Sequence, residues 1–193
     1  MINLENVFSQ EELQRAIAEV NREVGGYFAV MPAGIFFTRF EEAWSPAENL
    51  VHLIKSVSAV AQALRLPKLF VRLLFGASLK SSRRFEQLKE DYRRVLAQGG
   101  KASGRYVPVL KNAPQNLERA QTEIIEKWDE VNARLLAGLR SWNEKQLEKL
   151  RLPHPLLGKL TVREMIFFTL YHNRHHMNIV RRRAGHARAA ASE

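Results

Sequence analysis

The chain contains no cysteine, and this absence excludes two kinds of structure. Without cysteine there is neither a disulfide framework nor a thiolate ligand for a metal ion. Any metal site must therefore use histidine, aspartate or glutamate side chains. The 193 residues include six histidines and 20 acidic residues. The spacing of these side chains along the chain then decides whether they can act together.

Long apolar runs are also absent, since no stretch of 18 apolar residues occurs. A helix that crosses a bilayer needs about 20 such residues, so we predict no membrane contact. Residues 1–6 have neither the basic region nor the apolar run of a signal peptide. On these grounds we expect a cytoplasmic protein.

Acidic residues are few relative to basic ones: 20 Asp and Glu stand against 30 Lys and Arg, a net charge of +10. This surplus makes nucleic acid or an acidic small molecule a plausible partner. We nevertheless favour an ordinary protein with a basic surface, because net charge bears on solubility and non-specific binding. No DNA-binding motif is recognisable, so nucleic-acid binding is an alternative rather than the expectation.

What is present is the composition of a globular protein, with 46% hydrophobic and 26% charged residues. Helix start signals in the form of a capping box, a hydroxyl residue followed three positions later by Glu, occur three times. These boxes are Ser9–Glu12, Ser45–Glu48 and Thr161–Glu164. We expect helices from each box, with Pro32 ending the first and Pro67 following the second.

Helical spacing of apolar residues also extends from Leu117 to Leu147, and a mixed-charge helix is expected over residues 82–98. Residues 66–80 suit a short helix or an ordered loop, and residues 151–161 read as a loop punctuated by Pro and Gly. Strand-like alternation is nearly absent. The sequence therefore predicts an all-α fold: a four-helix bundle with one or two additional short helices, in a single domain over residues 1–193 with a frayed end at residues 184–193.

Three histidines lie close together inside the last predicted helix. His172 and His176 are four residues apart, so their side chains share one helical face, and this face is the apolar one. His175 is rotated away from that face. The spacing alone leaves two alternatives open, a metal-binding pair and a pair of hydrogen-bonded core histidines. The metalloprotease pattern H-E-x-x-H is absent, because Asn173 stands where Glu would be required.

Three segments in order give the sequence a resemblance to a known family. They are W-S-P-A-E-N-L-V-H at residues 44–52, H-P-L-L-G-K-L-T at residues 154–161, and H-N-R-H-H at residues 172–176. Together they resemble the DinB/YfiT-like superfamily of metal-dependent enzymes. The resemblance implies a four-helix bundle of up-down-down-up topology that forms a homodimer. It also implies that His52, from the second core helix, joins His172 and His176 as metal ligands.

Three imidazoles would leave a fourth metal position for water or substrate, as in catalytic zinc sites. Zinc is the expected ion, and nickel or iron would accept the same ligands. The resemblance implies a small-molecule substrate and two chemistries, hydrolysis or transfer involving a low-molecular-weight thiol. His154 and His175 are candidates for the pocket or the surroundings of the ligands. Many family members have Gly-Gln where this chain has Met177-Asn178, and Asn178 is expected to keep the polar role. The alternatives are a nucleic-acid-binding module and a non-catalytic interaction module with the same fold.

Overall fold

The structure is a computed structural model that describes residues 9–110 and 114–190, with side-chain surroundings as far as residue 185. Its helices are α1 (Gln10–Ala29), α2 (Ala33–Phe37), α3 (Pro46–Arg65), α4 (Lys68–Phe75), α5 (Phe85–Ala97), α6 (Leu117–Leu139), α7 (Glu144–Lys149) and α8 (Val162–Ala190). A 3-10 turn spans Gly104–Tyr106, and two strands, β1 (Arg151–His154) and β2 (Gly158–Thr161), form a hairpin. Helices dominate, which confirms the expected all-α class.

All three predicted capping boxes are confirmed, and each begins a long helix. Before α8, the Glu164 amide donates to the Thr161 hydroxyl at 3.2 Å, and the Thr161 amide donates to the Glu164 carboxylate at 2.9 Å. The same reciprocal bonds begin α1 at Ser9 and α3 at Ser45. Each box satisfies amides that have no partner inside the helix, so these helix starts are fixed locally by four residues.

The four long helices pack around one apolar core. α1 and α3 each contact both α6 and α8, so every long helix has two long neighbours. The crossing of α6 over α3 is close, because a Cβ added at Gly138 would lie 3.1 Å from the Leu64 Cβ. Trp142 packs at the same crossing, and its indole N–H donates a hydrogen bond to the Leu64 carbonyl at 3.0 Å. The up-down-down-up order of the helices stays a prediction.

Three details of the fold differ from the sequence-based expectation. Four shorter helices accompany the long ones in the described ranges, where one or two were expected. The helix expected to run to Leu147 ends at Leu139, because Trp142 turns into the core and Asn143 begins α7 with its own capping box. The segment at residues 151–161 is an antiparallel hairpin instead of a loop. Leu152 and Leu160 face each other in its register and are both buried.

Two further expectations concern the C-terminal end of the chain and a membrane crossing. α8 continues to Ala190, so only residues 191–193 of the expected frayed end lie outside the described residues. No helix in the described ranges carries an apolar stretch of the length that a bilayer crossing requires. α4 is nevertheless apolar on its outer side, since only Val71 is buried while Leu69, Phe70, Leu73 and Leu74 are exposed.

One buried carboxylate fixes the start of α8 against the start of α5. Glu164 is 5% exposed and accepts hydrogen bonds from the Arg83 backbone amide at 2.8 Å and from the Arg83 guanidinium at 2.9 Å. The same carboxylate closes the capping box with Thr161. A single charged group thus joins two helix starts through residues that lie 81 positions apart.

We therefore expect Glu164→Gln to lower the free energy of unfolding by about 2–3 kcal/mol, because it removes the charge opposite a partly buried guanidinium. Urea denaturation followed by circular dichroism measures this change. The matched control is Glu123→Gln, which breaks an exposed ion pair with Arg119 and should cost less than about 0.5 kcal/mol. Equal effects of the two substitutions would contradict this role for Glu164.

Candidate metal centre

Three histidine side chains from two helices converge inside the bundle. His52 comes from α3, and His172 and His176 come from α8, and one nitrogen of each lies within 4.8 Å of the others. The Nε2 atoms of His52 and His172 are 3.1 Å apart. Two nitrogens bound tetrahedrally to zinc at about 2.0–2.1 Å would lie roughly 3.3 Å apart. The spacing of this pair therefore fits one shared divalent ion.

The packing of α3 against α8 brings these side chains together. His52 lies on the side of α3 that carries small residues, Ser56 and Ala59, one and two turns further on. These small side chains line the same cavity as the histidines, and they leave space beside the His52 ring. His52 and His172 are 5% and 4% exposed, and His176 is partly buried.

The tautomer of His52 is set by a backbone carbonyl. Its Nδ1 lies 2.8 Å from the carbonyl oxygen of Tyr106, at the end of the 3-10 turn. A carbonyl oxygen only accepts, so Nδ1 carries the proton and donates it. The lone pair of His52 is then on Nε2, which faces His172. The carbonyl thus holds His52 in the form that a metal ligand needs.

Asn49 does the same for His176. The Asn49 side-chain amide donates to the carbonyls of Trp44 and Ser45 at 3.1 and 2.9 Å, which identifies its Oδ1 as the acceptor. This Oδ1 lies 2.8 Å from His176 Nδ1. His176 therefore donates from Nδ1 and keeps its lone pair on Nε2. Two of the three imidazoles are thus oriented by fixed acceptors.

The surroundings of the histidines favour their neutral form. Burial lowers the pKa of His52, and it lowers the pKa of His172 and His176 well below the usual range. At His172 and His176 the neighbouring imidazoles add to the lowering of the pKa, since a second positive charge nearby is unfavourable. The Phe168 ring stacks on His172 with centroids 4.9 Å apart. Neutral imidazole is the form that binds a metal ion, so these rings are ready to do so near neutral pH.

The three histidines line a cavity of about 580 Å³. Its wall is largely apolar and aromatic, and none of the described residues that line it is an aspartate or glutamate. Tyr92 lies in this wall with its ring against His172, and burial raises the pKa of Tyr92 to about 12. The tyrosine therefore keeps its proton and can donate a hydrogen bond to a ligand. The cavity gives a small molecule access to the histidine cluster.

The other three candidate site residues, His154, His175 and Asn178, lie in different surroundings. His154, on β1, lines the cavity, and its Nδ1 accepts from the amides of Leu156 and Leu157 at 3.2 and 3.0 Å. His175 also lines the cavity, at the edge of the Tyr92 ring, but it is not part of the three-nitrogen cluster. Asn178 lies on the exposed side of α8, and the contact to His176 comes from Asn49 instead.

Sequence reasoning missed the two acceptors that orient the ligands. Asn49 precedes His52 by three residues, so helical spacing places both on one side of α3, and this signal was available. The role of the Tyr106 carbonyl could not be predicted from the sequence, because any residue type supplies a backbone carbonyl. Tyr92 and Trp44 were also missed, and Trp44 stacks on His176 with an interplanar angle of 15°.

Comparison with models of protein families identifies a match. Residues 9–180 match the family model described as the DinB superfamily, a range that contains all three clustered histidines. No curated protein and no solved structure matches the chain.

If Asn49 orients His176, then Asn49→Leu should weaken zinc binding about 10-fold to 100-fold, the usual cost of losing such a partner. Competition with a chromogenic chelator measures the dissociation constant. Asn178→Leu is the matched control, because it changes an exposed asparagine on the helix of His176 and should leave the constant unchanged. Thermal unfolding of both metal-free variants separates a loss of orientation from a loss of folding.

His154 gives a prediction about pH. Burial lowers the pKa of His154 to about 4 from its usual 6.5, so the unfolded chain binds a proton at pH values where the folded chain does not. Stability from this residue is therefore complete above about pH 6.5 and is lost as the pH falls towards 4. Between pH 7 and pH 5 the loss is about 2 kcal/mol. His154→Asn keeps an acceptor but does not titrate, so its unfolding free energy should fall by that much less over the same range. Parallel curves for the two proteins would exclude this contribution.

Proposed function

The chain belongs to the DinB superfamily, and we propose from this membership that it is a metal-dependent enzyme acting on a small molecule. The observation that carries the proposal is the convergence of His52, His172 and His176 at the wall of a cavity. The donor set suits a metal ion, since three neutral imidazoles face one another and no described residue that lines the cavity is a carboxylate. Buried polar nitrogens are costly without partners, and one ion would satisfy all three.

We propose zinc as the ion. Three neutral imidazoles with one open position are the usual ligands of catalytic zinc, and nickel or ferrous iron would accept the same set. A divalent ion held there would act as a Lewis acid and lower the pKa of a water molecule or thiol in the cavity. The chain's own contribution is orientation, since Tyr106 and Asn49 fix two rings, and exclusion of water by the apolar wall.

Between the two chemistries, the cavity supports thiol transfer better than hydrolysis. Hydrolysis benefits from a general base that takes a proton from water, and no described residue lining the cavity is a carboxylate. His154 is a poor substitute, because its Nδ1 already accepts two amide hydrogen bonds and its pKa is about 4. An ionised thiol needs no base during the transfer itself. Tyr92, which lines the cavity and stays protonated, would supply a hydrogen-bond donor for the acceptor molecule.

The alternatives have less support. Many basic residues of α5 and α6 pair with carboxylates of the same helix, as Arg93 does with Glu90 and Arg119 with Glu123, so these helices offer no free basic stripe to nucleic acid. A purely structural module would not need an accessible cavity beside its histidines. Homodimer formation remains part of the proposal through family membership alone.

The test is the metal content of His172→Ala. We expect about one divalent ion per chain in the unaltered protein after loading and gel filtration, and less than about one tenth of that in the variant, because two imidazoles alone hold the ion weakly. Mass spectrometry of the dissolved metal gives the ratio. His175→Ala, which changes the neighbouring histidine outside the cluster, should retain its ion. A His172→Ala protein that retains a full equivalent would overturn the proposal.

A further inference from the structure

Three cationic side chains line the cavity that contains the histidine cluster. Lys101 and Arg105 lie in the segment between α5 and α6, and Arg183 lies near the end of α8. All three are exposed, and none forms an ion pair with a described residue. Two separate parts of the chain thus contribute positive charge to the wall of one cavity.

Arg105 is held in place by its neighbour. Its guanidinium lies over the Tyr106 ring, 5.1 Å from the ring centroid, and its Nη2 lies 3.0 Å from the Tyr106 hydroxyl. Tyr106 is also the residue whose carbonyl orients His52. The position of the positive charge and the orientation of the histidine are therefore fixed by one short turn.

Arg183 is placed by helical geometry. It follows His176 by seven residues, which is close to two full turns, so both lie on the same face of α8. The rise of 1.5 Å per residue separates their backbone positions by about 10 Å along the helix. A molecule that reaches from the histidines to this arginine must therefore be elongated.

Apolar side chains form part of the cavity wall. Ile179 lies between His176 and Arg183 along α8 and lines the cavity, as do Val60, Met165 and Phe168. No described residue that lines the cavity is an aspartate or glutamate, so the positive charge of Lys101, Arg105 and Arg183 is not balanced within its wall. This positive charge lies beside apolar side chains of the same wall. It is the charge pattern that attracts and orients an anion.

We propose that the cavity takes an elongated small molecule with an apolar middle and an anionic group, carboxylate or phosphate, which binds at Arg105 and Arg183 while the reacting end lies at the histidines. This inference rests on the proposed function, because the histidine end is taken as the metal site. Guanidinium groups suit either anion, since both accept paired hydrogen bonds from the same fork.

The test uses cobalt-loaded protein and three thiols of similar length, mercaptohexanoate, mercaptohexanol and aminohexanethiol. A sulfur that binds the cobalt produces a charge-transfer band, and its titration gives a dissociation constant for each thiol. We expect mercaptohexanoate to bind about tenfold more tightly than mercaptohexanol, the factor that one charge-assisted hydrogen bond supplies, and aminohexanethiol to bind most weakly. The preference should decrease as salt is added, because the cations are exposed.

The variant Arg105→Gln/Arg183→Gln should bind mercaptohexanoate and mercaptohexanol within about twofold of each other, because the fork that holds the anion is lost. Arg140→Gln is the matched control, since Arg140 is exposed, unpaired among the described residues and absent from the cavity wall, and it should keep the preference. Full cobalt content in both proteins shows that the metal site is intact.

The outcomes separate this inference from the proposed function. Equal binding of all three thiols, with a clear cobalt band, would overturn the anion site and leave the metal-dependent function standing. If no thiol changes the cobalt spectrum, calorimetry with mercaptohexanoate still decides the inference. If the unaltered protein binds mercaptohexanoate and the double variant does not, the anion site is supported even though the sulfur does not bind the cobalt. No heat of binding in the unaltered protein would overturn the anion site.

Discussion

The constraint on which the centre of this molecule depends is the cost of burying imidazole. Three histidine rings lie together in an apolar bundle, and each ring has two nitrogens that lose water when the chain folds. Two of the rings offset this cost through their outer nitrogens, which donate hydrogen bonds to a backbone carbonyl and to an asparagine side-chain oxygen. On the inner side the nitrogens face one another. Three neutral imidazoles whose inner nitrogens converge on one point are an arrangement that a single cation would complete.

This requirement explains features that otherwise look unrelated. The 3-10 turn at Gly104–Tyr106 must lie against α3, because its last carbonyl accepts the hydrogen bond that His52 Nδ1 donates. Asn49 must be buried in the first turn of α3, where it also binds the carbonyls of Trp44 and Ser45. The capping box at Ser45 fixes where that turn begins. The geometry at His176 therefore traces back to a helix start that four residues determine.

The parts of this arrangement that follow from local periodicity could be predicted from the sequence. His172 and His176 are one turn apart on an apolar face, and the capping boxes at Ser9, Ser45 and Thr161 have a fixed spacing. Resemblance to a family, and not geometry, selected His52, because helical spacing only permits an inward histidine there. The orienting carbonyl of Tyr106 had no signal, since it belongs to the backbone. The hairpin at residues 151–161 was missed because four-residue strands are too short for alternation to stand out.

The 120 residues that separate His52 from His172 bear on when the three-histidine cluster is complete. Closing a loop of that length in an unfolded chain costs about 4 kcal/mol of entropy, so the nascent chain presents His52 as a solitary, weak ligand. The complete set exists only after α8 has left the ribosome and joined α3. A metal ion that needs all three histidines would therefore bind after folding. Its identity would depend on which divalent ion is free at sufficient concentration where folding ends.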